Sequence, residues 1–139
     1  MERVDQDTSL GIASNALQIF DPELLTWFPS SLMNQCRAYA DVGVHQNSIY
    51  IAGGEDENQH KLDTVERYDS LYNRWVYVAR MRSGPKLGVA VAVMRDKLFI
   101  VGGYNKDSPS GPILTDVECF DLTNQRYGYF WLVLNTPFI

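Results

Sequence analysis

Only two cysteines occur in the 139 residues, Cys36 and Cys119, and they stand 83 positions apart. That spacing does not fit the dense disulfide framework of a small secreted domain, so both are expected to be free thiols in a reducing compartment. Cys36 sits beside Arg37, a neighbour able to activate a thiolate, although an inert thiol is the favoured reading. Histidine is equally scarce, with His45 and His60 alone. No HExxH, paired-Cys or Gly-rich phosphate motif accompanies them, so metal-assisted and phosphoryl-transfer chemistry have no visible ligands. No apolar run reaches the ~18 residues of a membrane span, and the polar start Met1 to Asp7 lacks the plan of a signal peptide. Basic residues are few and scattered: 12 Lys and Arg against 17 Asp and Glu give a net charge of −5. Their densest stretch, Arg80, Arg82 and Lys86, is too thin for a phosphate-backbone surface. These absences leave a soluble, cytoplasmic, globular protein expected to have no nucleic-acid or membrane partner, no cofactor and no metal.

What is present is repetition. Leu17 to Trp27 carries Phe20-Asp21 with Trp27 seven positions after the Phe, and Met33 follows. Val65 to Trp75 carries Tyr68-Asp69 with Trp75, and Met81 follows. Val117 to Tyr127 carries Phe120-Asp121 with Tyr127. The first two copies are offset by 48 residues at Phe20/Tyr68, Trp27/Trp75 and Met33/Met81 alike. A second phrase, Ser48 to Gly53-Gly54, returns 49 residues later as Lys97 to Gly102-Gly103. An apolar stretch precedes each, Arg37 to Val44 and Lys86 to Val93.

The unit therefore has four strand-like parts, rich in Val, Ile, Tyr and Phe and bounded by Gly, Asn, Asp and Ser. Gly88 to Val93 is almost wholly apolar, which predicts an inner strand buried on both faces. Gln46-Asn47 and Arg95-Asp96 are short enough for two-residue hairpins. Asp21, Asp69 and Asp121 are expected to start turns by accepting backbone N–H groups. Tyr68 and Trp75 are read as packing between sheets in preference to carbohydrate stacking.

The double glycine, the Tyr-Asp with Trp seven positions on, and Val78-Ala-Arg-Met81 resemble the Kelch repeat family. Val65 to Asp69 and Gly88 to Val91 are similar to phrases of the Kelch-like subfamily. The resemblance runs from Leu17 to Tyr127 and implies an all-β fold: an incomplete Kelch β-propeller of about two and a half four-stranded antiparallel blades. Residues 1–16 form an N-terminal segment, 17–34 the last two strands of a truncated blade, 35–81 and 82–127 two blades, and 128–139 a divergent apolar tail. Tyr127 departs from the expected Trp. Tyr39 and Asp41 stand where Gly88 and Ala90 predict small residues. Because propellers have four to eight blades, the chain is expected to be a fragment or short isoform.

The family implies a protein-binding module without catalysis. Kelch-like proteins act as substrate adaptors of cullin-3 ubiquitin ligases through BTB and BACK domains, neither of which this chain contains, and some bind actin instead. A remnant of a Kelch-fold enzyme, as in copper-holding galactose oxidase, is the third class. Family ligands meet the face built by the fourth-to-first and second-to-third strand connections. Carried over, the contact positions are Arg37 and Lys86 before the inner strands, Glu55 and Tyr104 after the double glycines, and Arg82 and Asn105 in the same connections. Such cationic and aromatic residues would suit an acidic peptide.

Overall fold

The structure is a computed structural model that describes residues 12–109 and 111–123. Tyr127, the 128–139 tail and most of the 1–16 segment lie outside the described residues. Nine strands build three antiparallel sheets. The first sheet pairs β1 (Gln18–Asp21) with β2 (Thr26–Pro29). The second runs in the order β3 (Asp41–His45), β4 (Ser48–Ala52), β5 (Thr64–Asp69), β6 (Arg74–Arg80). The third holds β7 (Ala90–Met94), β8 (Lys97–Val101) and β9 (Val117–Asp121). Each described regular element is a strand, so this is an all-β partial propeller of one four-stranded blade flanked by a two-stranded and a three-stranded one.

Local chemistry sets the turns. Pairing of His45 with Ser48 and of Met94 with Lys97 leaves two-residue loops. Gln46 (φ +52°) and Arg95 (φ +55°) take the left-handed backbone that matches the twist of a tight hairpin. Asp21 Oδ1 accepts the N–H groups of Glu23 (2.8 Å) and Leu24 (3.0 Å). Asp69 Oδ1 accepts Leu71 N–H, and Asp121 Oδ1 accepts Thr123 N–H, both at 2.9 Å. The repeated Asp is thus the acceptor that bends the chain where the strand carrying the aromatic-Asp pair ends.

The sheets stack face to face. Tyr50, Ala52 and Val65 of the middle blade share a core with Leu98, Ile100 and Phe120 of the last blade. The middle blade's opposite face contributes Tyr68 and Trp75, which pack with Met33 and Leu17. The inner strands meet tightly: a Cβ built on Gly43 would lie 2.8 Å from Val93 Cγ2 and 3.0 Å from Val91 Cγ1. Asp41 Oδ2 also accepts Val91 N–H at 2.8 Å, tying one inner strand to the next. The departure at Asp41 therefore has a purpose in the junction.

The Gly88–Val93 stretch is not a strand buried on both faces. The strand is Ala90–Met94, and Ala90, Ala92 and Met94 are exposed. Among the described residues, only the face carrying Val91 and Val93 meets another sheet. An apolar run is buried on both faces only where a sheet stands on each side.

Candidate functional site

At the end of β4 the chain touches the connection that leads into the next blade. Gly53 N–H donates to Thr64 O (3.1 Å), and Gly54 N–H donates to Lys86 O (2.9 Å) of the following connection. Both glycines have positive φ, +64° and +100°, and an added Cβ would stand 2.7 Å from Lys86 O and Ala38 O respectively. No side chain fits there, so the double glycine is the point where backbone meets backbone.

Beyond the glycines each full repeat forms a short row of paired residues. Glu55 exchanges hydrogen bonds with Ala38, both 2.9 Å, and bridges to Lys61 on its other side. One repeat later Tyr104 exchanges hydrogen bonds with Leu87, 3.1 and 2.8 Å, and bridges to Ile113. Residues directly opposite in antiparallel pairing share a face. Glu55 and Lys61 use that position for an ion pair of 2.6 Å. Tyr104 and Ile113 present apolar surface there, 41% and 73% exposed.

Two residues expected to contact a ligand are turned inward. Arg37 is buried, and its guanidinium donates to Glu66 Oε2 (2.9 Å), Gly53 O (2.8 Å), Thr64 O (3.0 Å) and Thr64 Oγ1 (2.8 Å). Lys86 is buried too, with its Nζ 3.2 Å from Asp116 Oδ2. The acceptors lie on β5, at the glycine after β4 and on the segment leading into β9, so these cations act inside the blades. Glu55 is paired with Lys61. Asn105 Nδ2 donates to Pro85 O (2.7 Å), and its Oδ1 accepts Asp107 N–H (2.9 Å), so its amide closes the loop. Arg82 and Tyr104 remain exposed on the rim.

Sequence reasoning assigned no role to Glu66 and Glu118, both wholly buried. Glu66 accepts the N–H of Asn34 (2.7 Å) and of Gln35 (3.3 Å) besides the Arg37 guanidinium. Glu118 accepts the N–H of Arg82 (3.2 Å) and of Ser83. Each carboxylate thus fastens the connection that enters its blade from the previous one. The signal was present as the repeated Val-Glu before the aromatic-Asp. Tyr39, at φ +56° and exposed, occupies the position of Gly88, at φ +66°. Ile113 carried no sequence signal.

The thiols are not activated. Burial pushes the Cys36 thiol up, and the Glu57 carboxylate adds to the rise. Arg37 faces Glu66, which leaves its neighbour without electrostatic help. Burial likewise raises Cys119. His45 Nε2 lies 2.9 Å from Asp96 Oδ1, joining hairpin turns of adjacent blades, and His60 lies 3.4 Å from Asp56. No group of three His, Cys, Asp or Glu is arranged to hold a metal ion among the described residues. No described helix is long and apolar enough to cross a membrane. A polar cavity of about 170 Å³ opens beside His45, Ser48, Tyr50 and Thr123.

The family model of the Kelch motif matches residues 36–82 and 85–127. The chain is 31% identical over 118 residues to Kelch-like protein 36 of Rattus norvegicus, covering 84% of this chain and 18% of that protein. It is 32% identical over 102 residues to Kelch-like protein 31 of Danio rerio, covering 69% and 14%. It is 30% identical over 104 residues to Alpha-scruin of Limulus polyphemus, covering 73% and 11%. The chain thus spans less than a fifth of the length of these curated relatives.

Proposed function

The chain belongs to the Kelch motif family, and from that premise we propose that it is a non-catalytic protein-interaction module that binds a partner at the rim beyond its double glycines. The observation that carries this reading is the exposed Tyr104–Ile113 pair, set on a backbone ladder that the buried Glu118 and Lys86 hold in place. Loops on a rigid scaffold are where such folds bind, and exposed aromatic residues are common anchors. A photo-crosslinking phenylalanine placed at residue 104, and separately at exposed Leu71 in the β5–β6 turn, tests it in cells. A discrete adduct at 104 and none at 71 is expected. Equal labelling at both, or none at either, overturns it.

We extend the proposal to client recognition in the cytoplasm for a cullin-3 ubiquitin ligase, as the Kelch-like resemblance implies. Ligase docking would then fall to segments other than this one. The adduct's partner should accumulate when cullin-3 is depleted, and an unchanged partner level removes the adaptor role. Co-sedimentation with filamentous actin would support the family's cytoskeletal alternative in its place.

A further inference from the structure

We infer that the cleft between the middle and last blades holds a second binding site, a polar pocket that takes a small uncharged polyhydroxy molecule the size of a polyol or a monosaccharide. The pocket lies at the hairpin end of β4, and the protein-binding rim lies past the other end, beyond Gly53 and Gly54. The length of the strand, roughly 17 Å, separates the two. Sheet geometry builds the wall. Ser48 and Tyr50 alternate along β4 and share a face with Ala52, the face that meets the last blade. His45 stands directly opposite Ser48. The last blade contributes Thr123 and Leu122, whose N–H donates to Asp96 O at 2.8 Å. With Gln46 of the hairpin turn, these residues line a cavity of about 170 Å³. Pockets for drug-sized ligands begin near ~300 Å³, so the occupant is small.

Tyr50 carries the inference. It is 5% exposed, yet its hydroxyl has no hydrogen-bond partner among the described residues. A buried hydroxyl left unpaired is costly, so it calls for a partner that the described protein does not supply. The fold does not require the hydroxyl, because the same strand position one repeat on holds Phe99. The hairpin does not require the other polar groups either: His45, Gln46 and Ser48 are replaced there by Met94, Arg95 and Lys97. The lining then decides the ligand's chemistry. No Asp, Glu, Lys or Arg lines the cavity among the described residues. His45 Nε2 is held 2.9 Å from Asp96 Oδ1. The carboxylates of Asp69 and Asp121 accept Leu71 N–H and the N–H and hydroxyl of Thr123. A charged ligand would lose water and find no free opposite charge. Ser48 and Tyr50 hydroxyls and the Gln46 amide both donate and accept, and Thr123 Oγ1, its proton given to Asp121, accepts. The hydroxyls of a polyol match that mixed set, and Leu122 gives its C–H face an apolar wall.

Amide chemical shifts of the isotope-labelled whole chain, titrated with glycerol, myo-inositol and glucose, test the site. Glucosamine and glucuronate serve as charged analogues. Saturable shifts confined to residues 45–50 and 122–123 are expected from at least one uncharged probe. Tyr50→Phe, which copies the residue at the equivalent position, and Ser48→Ala should each weaken that probe's binding ~10-fold. An unchanged spectrum away from the pocket separates lost contact from lost fold. Tighter binding of glucosamine or glucuronate than of glucose overturns the uncharged class. Equal binding to Tyr50→Phe and the unaltered chain overturns the pocket as the site. Shifts that rise linearly with every probe, without saturation, mean that water alone fills the cavity and overturn the ligand. The crosslink at residue 104 reads the rim independently of all these outcomes.

Discussion

Phe20 with Trp27 and Tyr68 with Trp75 are the same cross-strand pair, with ring centroids 5.1 and 5.3 Å apart and planes inclined by 47° and 43°. Their surroundings differ. Trp75 is 9% exposed and Tyr68 4%, while Trp27 is 62% exposed and Phe20 43%. The inner strands repeat the lesson. Val42 and Val44 are exposed, while their counterparts Val91 and Val93, 49 residues on, pack under Gly43. The reason is positional. Val91 and Val93 face a complete blade, whereas Val42 and Val44 face one with only its last two strands among the described residues. Hairpin geometry is therefore written in the local sequence, and burial is supplied by the neighbour.

The sharpest way to break this comparison is to delete both tryptophans in turn. Trp75→Ala removes a buried ring whose Nε1–H donates to Ser31 O at 3.0 Å, and should cost about 4 kcal/mol. Trp27→Ala, at the same repeat position, should cost about 0.5 kcal/mol because water already reaches that ring. Urea unfolding at constant slope measures both. Equal losses would mean that Trp27 is covered in solution.

The two junctions also differ in their polar fastening. Glu66 meets a guanidinium and two loop N–H groups, whereas Glu118 meets two loop N–H groups, and the nearby cation Lys86 goes to Asp116 instead. A guanidinium offers a fork of donors to Glu66, Gly53 and Thr64 at once, which the single ammonium of Lys86 cannot reproduce. Removing one partner of a buried ion pair strands the other charge. Glu66→Ala should therefore cost about 3 kcal/mol, and Glu118→Ala about 1.5 kcal/mol, the scale of unmade hydrogen bonds. A double mutant of Glu66→Ala with Arg37→Ala should recover part of the first loss. Full additivity would argue that the pair does not act as a unit.

The fold was legible because its signals are local and repeated. Val, Ile and aromatic runs with Asp turns and double glycines place strands without knowledge of neighbours, and each hairpin loop follows. The site was less legible because side-chain direction at a rim depends on what lies across it. Arg37 and Lys86 look like outward cations in a list of loop residues. They turn inward because Thr64, Glu66 and Asp116 arrive from strands or connections about 30 residues away in the chain. Ile113 escaped notice because it sits in a Pro- and Gly-containing loop with no counterpart phrase. Tyr39 could be seen as irregular from the missing glycine, but only its backbone angle shows the cost of that exchange.

That cost gives a small predicted effect, the one that is a gain in stability, and it is tied to binding. A non-glycine residue in the left-handed region is strained by about 1–2 kcal/mol. Glycine's greater freedom in the unfolded chain returns roughly 0.5–1 kcal/mol of that. Tyr39→Gly should thus stabilise the protein by about 0.5–1 kcal/mol, read as a higher urea midpoint with no change of slope. The same variant should bind the rim's protein partner less well. A gain in stability coupled to a loss of affinity would show that the strained tyrosine is kept for contact with a partner. A loss of stability would show instead that its ring packs within the protein, and Tyr104 with Ile113 would then carry the rim alone.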